Sequence, residues 1–322
     1  MDEFYIFQLA GYIGIILILK TIAEVAPNLS GWRRLVFPAV AFSPGLHFWT
    51  VALGKDGLGV LSLGLICAGL DRKVMNKPLV GLGLFVLFVV RPHIALLEAA
   101  ALVVSVAILS RRATSAVRMT ALSVGTVALV AGAAFMIEFL GLEGGGLDEF
   151  TNLLDKYQTG NQLANSVFDT TGLIFPLRMA VNLLLPLYFD ATNINSFVLS
   201  VDDTFTLFFL IYSLLNIKRL WEASRSSYIV GFGAPAFLFV LVFLTAACSN
   251  IGLATREKMM IVPLLAIVFS VLSESEESHT GKLRPRLFGA PAPEPLSRKN
   301  ITAGVARFSR GERNRLDASG VK

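Results

Sequence analysis

The sequence predicts an all-α, polytopic integral membrane protein with a basic, disordered C-terminal tail. Three observations carry this. Hydrophobic residues make up 54% of the 322 positions, and the mean hydropathy is +0.67. Charged residues make up only 16%, against about 25% in an ordinary soluble domain. The apolar residues are gathered into runs that approach the ~20 residues a helix needs to cross a hydrocarbon core.

In chain order, the first span is Phe4 to Val25, with Lys20 close enough to its end to snorkel. Met1-Asp2-Glu3 lacks the basic start of a signal peptide, so this run reads as a retained helix. Trp32-Arg33-Arg34 forms a basic interfacial loop. A second span starts near Leu35, where Pro38 and Pro44 predict a kinked or broken helix. Leu58 to Leu70, Pro78 to Val90, Ile94 to Ser110 and Met119 to Leu140 follow, separated by Asp71 to Lys77, Arg91-Pro92-His93 and Arg111 to Arg118. A polar stretch from Gly141 to Thr171 precedes Leu173 to Phe189, which is apolar but interrupted by Pro176, Arg178, Asn182 and Pro186. The last spans are Thr204 to Ile217, Tyr228 to Cys248 and Met259 to Leu272. From Ser273 onward the chain is rich in Ser, Pro, Gly and charge, the signature of disorder. That tail holds ten Lys/Arg against six Asp/Glu, so it carries most of the net charge of +5 and leaves no basic nucleic-acid surface on the fold. Cys67 and Cys248 lie in apolar runs and read as small core residues.

Loop charge predicts topology. Four short basic loops, around Arg33, Arg72, Arg111 and Lys218, belong in the cytoplasm. The segment Gly141 to Asp203 has eight acids against Lys156 and Arg178 and belongs outside. Threading these assignments gives about nine crossings, with the amino terminus outside and the tail inside. The parity holds if Leu173 to Phe189 is a re-entrant or surface segment. Lys55-Asp56, Arg91-Pro92-His93, Arg178 and Asn250 to Lys258 then all fall on the outer face.

That clustering marks candidate site residues. Pro92 suits a first helical position, which places Arg91 and His93 at the mouth of a helix that carries Glu98. Arg91 and Glu98 are seven apart, so they share one helix face, with Glu98 about 10 Å deeper. A carboxylate at that depth belongs to a cavity or a cationic partner. Two readings stand for it: a general base at the foot of a watery groove, or a structural pair with Arg91 or another cation. Arg256 and Lys258 sit in a loop where the charge rule expects few cations, which points to an anionic ligand or to headgroup anchoring. Lys55 and Arg178 extend the same positive surface, and Asp56 is the acid beside Lys55. Asp202 and Asp203 read as part of a solvated acidic loop. There is no Walker loop, HExxH, GxSxG or CxxC, and the three histidines are too scattered for an obvious metal site, so no cofactor is expected.

Five stretches, in this order and spacing, resemble O-antigen-type repeat-unit polymerases of bacterial inner membranes. They are Phe42-Ser43-Pro44-Gly45-Leu46-His47-Phe48-Trp49, Gly54-Lys55-Asp56, Val90-Arg91-Pro92-His93, Leu185-Pro186-Leu187-Tyr188-Phe189-Asp190, and Asn250 to Lys258 with Pro263 after it. The resemblance implies an outward-facing site that uses arginines on a polyprenyl-diphosphate-linked glycan, with membrane lipids and other polysaccharide-assembly proteins as partners. Asp56 and Glu98 are then the candidate catalytic carboxylates. Lys55, Arg91, His93, Arg178, Asn250, Arg256 and Lys258 are the candidate substrate-binding residues. Other readings are a membrane glycosyltransferase that uses a polyprenyl-monophosphate sugar, a flippase for lipid-linked glycans, and a non-catalytic assembly subunit.

Overall fold

The computed structural model describes residues 2–51, 55–71, 74–139, 172–189, 191, 193–247 and 251–279. Among these the chain is almost entirely helical, with no strand beyond one isolated bridge between Leu70 and Met75. The helices are α1 (Asp2–Val25), α2 (Val36–Ala41), α3 (Pro44–Val51), α4 (Asp56–Gly69), α5 (Lys77–Val90), α6 (Pro92–Val103), α7 (Ser115–Phe139), α8 (Phe175–Leu184), α9 (Ile194–Leu215), α10 (Ile217–Ser226), α11 (Tyr228–Ala247), α12 (Ile251–Lys258) and α13 (Val262–His279). A π-helical turn, Val104–Leu109, extends α6.

Among the described residues, five helical stretches are long and apolar enough to cross a membrane: Tyr5–Val25, Pro92–Leu109, Ser115–Gly132, Ile194–Leu215 and Tyr228–Ala247. Asp56–Gly69, Lys77–Val90, Phe175–Leu184 and Val262–Glu274 are apolar but shorter.

The span from Leu35 is broken, as the prolines predict, into two short helices: the chain leaves helical geometry at Phe42 and restarts at Pro44. Other boundaries depart from the sequence reading, each for a local reason. The helix expected from Thr204 begins ten residues earlier, at Ile194. Asn193 and Ser196 form a capping box there, and this satisfies backbone donors that hydropathy does not register. Residues 251–258, expected as a loop, are helix α12. The last helix continues past Leu272 to His279, and Ser273 and Glu274 are buried, so the tail does not begin at Ser273. Cys67 is a buried free thiol, as expected, while Cys248 lies outside the described residues.

The packing defines two ends. α1 and α4 run parallel at close range. Gly57 lies against the Phe7 carbonyl and Gly64 against that of Gly14, where a Cβ would fall well inside van der Waals contact. Small residues allow such approach between membrane helices. The start of α4 therefore shares one end with the start of α1. α5 returns along α4, and α6 turns back at Arg91-Pro92, so the α5–α6 junction lies at that same end. Arg91 is out of helical geometry (φ −145°, ψ 76°), as a residue before proline is expected to be. The opposite end gathers Leu29 to Arg34, Ser110 to Arg118 and Arg225 to Ser227, with the Arg111 amide donating to the Arg225 carbonyl at 2.9 Å. Asn28 there donates through its backbone and side-chain nitrogens to Glu274 Oε1, each at 3.0 Å.

Candidate functional site

At the α4/α6/α12 end, charged side chains from distant parts of the chain meet. Asp56 opens α4 and is buried, and both its oxygens accept from guanidinium groups. Arg91 Nη2 donates to Oδ1. Arg256, near the end of α12, donates Nε to Oδ2 at 2.7 Å and Nη2 to Oδ1 at 3.1 Å. Arg91 Nη1 donates in turn to Glu257 Oε2. The result is a chain of charge-assisted bonds from Arg256 through Asp56 and Arg91 to Glu257, of the strong, fork-matched type.

A second pair adjoins it. Lys258 donates Nζ to Asp203 Oδ1 on α9 at 2.8 Å and to the Leu185 carbonyl just after α8. Asp202, the neighbour of Asp203, accepts from the Gly45 amide near the start of α3. Three cations, Arg91, Arg256 and Lys258, thus face four carboxylates, Asp56, Glu257, Asp202 and Asp203. Burial pushes the Glu257 carboxyl up, an effect opposed by the Arg91 guanidinium. Burial likewise lowers the Lys258 ammonium, opposed by Asp203.

Exposure differs sharply within the cluster. Arg91 is 2% exposed, whereas the Arg256 side chain is 32% exposed. Arg256 also lies over the indole of Trp49, 5.7 Å from the ring centroid, in cation–π geometry. Three buried polar atoms here lack a hydrogen-bond partner among the described residues: Trp49 Nε1, Arg91 Nε and Asp203 Oδ2. Of the three paired cations, Arg256 is the one that solvent reaches most.

The remaining predicted residues are placed as follows. Lys55 is the exposed residue that precedes α4. His93 is half-buried in the first turn of α6, its ring 5.3 Å from that of Phe243. Glu98 is 1% exposed, and neither carboxylate oxygen has a hydrogen-bond partner among the described residues. Of the two readings for Glu98, the structural pair with Arg91 does not form, because Arg91 turns instead to Asp56 and Glu257. Arg178 is half-buried on α8, about two turns before Leu185. Asn250 lies outside the described residues. No group of three or more His, Cys, Asp or Glu among the described residues is arranged to hold a metal ion.

Arg91, Arg256 and Lys258, candidates for binding an anionic ligand, are each matched to a carboxylate of the protein. One correction follows. Asp202 and Asp203, read as loop residues in solvent, lie on α9, and Asp203 is 2% exposed. Glu257 is a site residue that loop charge does not single out, because it sits between two cations. The available signal was that Arg256-Glu257-Lys258 alternates in sign.

Comparison with protein-family models, characterised proteins and solved structures finds no match to this chain.

Proposed function

We propose that the chain is a bacterial inner-membrane transferase that joins polyprenyl-diphosphate-linked glycan units at the outer face, with about nine crossings, its amino terminus outside and its carboxyl terminus in the cytoplasm. One observation carries the reading. The five stretches that resemble repeat-unit polymerases are scattered from Phe42 to Lys258, yet each supplies a group to this one charged cluster. Gly45 binds Asp202, Trp49 underlies Arg256, Asp56 and Arg91 form the centre, Leu185 receives Lys258, and α12 brings Arg256, Glu257 and Lys258.

In this mechanism the substrate diphosphate arrives at the exposed side of Arg256 and takes over its fork of donors. Asp56 keeps Arg91 and gains an open oxygen. That oxygen accepts the proton of the acceptor hydroxyl as the hydroxyl oxygen bonds to the anomeric carbon. The bond from that carbon to the diphosphate oxygen breaks, and its electron pair leaves with the polyprenyl diphosphate, whose charge Arg256 offsets. Arg91 and Lys258 hold the surrounding carboxylates in place. Lys55, His93 and Arg178 border the sugar path, and Glu98 is the deeper carboxylate.

The test is the glycan profile of a strain whose only copy carries Arg256→Ala, with the protein inserted at normal level. The expected result is single repeat units at the surface and no long chains. Normal chain extension would sink the reading. A repeat unit that lacks a sugar would make the protein a glycosyltransferase, and intact units held on the cytoplasmic leaflet would make it a flippase.

A further inference from the structure

Away from the charged cluster, α8, α9, α10, α11 and α13 enclose an apolar cavity of about 1020 Å³, at the upper edge of the about 300–1,000 Å³ usual for small-molecule sites. Its origin is local. α11 contributes Gly233, Ala234 and Pro235 to the wall and α8 contributes Ala180, small side chains that fill little of the space between the helices. The stretch of α11 that lines it runs from Gly233 to Leu241, about 12 Å of helix. Such a volume, walled almost wholly by hydrocarbon in a membrane protein, takes a hydrocarbon chain.

The polar fittings of the cavity lie at one end. Lys218, Trp221 and Glu222 of α10 line it there, Lys218 being its only cationic and Glu222 its only acidic lining residue among the described residues. Arg219 and Arg225 lie on the same short helix, with the Arg225 guanidinium 5.8 Å from the Trp221 ring centroid. Glu222 is the one acid on α10, so three cations outnumber it. Exposed tryptophan with basic residues on an amphipathic helix is the arrangement that meets lipid headgroups. The opposite wall, from Pro176 to Leu184 of α8, contributes no charged group to the lining.

We infer that this cavity is a binding site for an anionic phospholipid, one acyl chain lying along α11 and the phosphate at Lys218. The site stands independently of the proposed transferase reaction, because no residue of the charged cluster lines it.

The experiment reconstitutes the full chain in phosphatidylcholine nanodiscs with a trace of phosphatidylglycerol bearing a diazirine on one acyl chain, then maps the photolabel by mass spectrometry. Label is expected on α8 and α11 residues that line the cavity, displaced by unlabelled phosphatidylglycerol and not by added phosphatidylcholine. Lys218→Gln should weaken displacement about fivefold, the equivalent of about 1 kcal/mol for one basic residue, and Ala234→Phe should abolish the label by filling the space. Equal displacement by phosphatidylcholine overturns the headgroup assignment. Preferential displacement by a polyprenyl diphosphate overturns the occupant and gives the cavity to the transferase substrate. Unchanged label in both variants overturns the location.

Discussion

At the end of the bundle where α4, α6 and α12 meet, arginine is bound to carboxylate. At the other end, arginine is bound to backbone. Arg34 donates Nε to the Leu29 carbonyl at 2.7 Å, Arg112 Nε to that of Ser226 at 2.9 Å, and Arg118 Nη2 to that of Ser110 at 2.7 Å. These carbonyls lie at or just beyond helix ends, where intrahelical partners run out. The same side chain therefore does two jobs. At the basic end it finishes helices, works at the rim, and needs no second charged residue. At the other end Arg91 is buried with two carboxylates, and each member is tolerable only because the others are present.

The comparison makes graded predictions. Arg91→Ala should be the most damaging, because it strips Glu257 of its guanidinium and Asp56 of one of two. A loss of about 3–5 kcal/mol is expected, read as the denaturation midpoint of the detergent-solubilised protein; a loss no larger than at an exposed arginine would erase the distinction between the ends. Lys258→Met should cost about 3 kcal/mol by leaving Asp203 buried and unmatched, and Asp203→Leu added to it should restore part of that stability. A double variant as unstable as the single one would mean the lysine acts through the Leu185 carbonyl instead. Arg256→Ala sharpens the contrast inside the cluster: its partial exposure limits the stability loss to about 1–2 kcal/mol, while chain extension should be lost, so the effects on folding and on activity separate. Glu98→Gln keeps the shape of a carboxyl that has no partner among the described residues, and thermal melting should move by less than the equivalent of about 1 kcal/mol; a large drop would reveal a cation bound to it. Smallest of all, Lys20→Ala breaks a pair at 3.6 Å whose side chains are 61% and 57% exposed. Exposed pairs of this kind are worth about 0–1 kcal/mol, and a larger effect would show that the basic end depends on ion pairs after all.

Much of this was legible in the sequence, unevenly. Composition and run length gave the helical membrane class, and Pro38 and Pro44 marked the broken second segment. Asp56, Arg91, Arg256 and Lys258 stood out because charge is costly among apolar neighbours. Their pairing did not, since Asp56 and Arg256 are 200 positions apart and no local periodicity reports such contacts. Asp203 was misplaced because polar residues from Asn193 to Asp203 dilute the hydropathy of the first three turns of α9, and the capping box that starts the helix carries no hydrophobic signal. Of the readings open for Glu98, the pair with Arg91 does not form, because a shared helix face states which way two side chains point and not what each prefers to bind.

The order in which the cluster's members occur along the chain has a consequence for biogenesis. A ribosome delivers the amino-terminal part first, so Asp56 and Arg91 enter the membrane long before α12 exists. They form an acid and a base of opposite sign, able to neutralise each other at once. The later instalment, Arg256 and Glu257, is also one base and one acid, adjacent on α12. The Asp56–Arg91 pair persists in the folded protein, so the cross-links from Arg256 to Asp56 and from Arg91 to Glu257 are added to it and do not replace it.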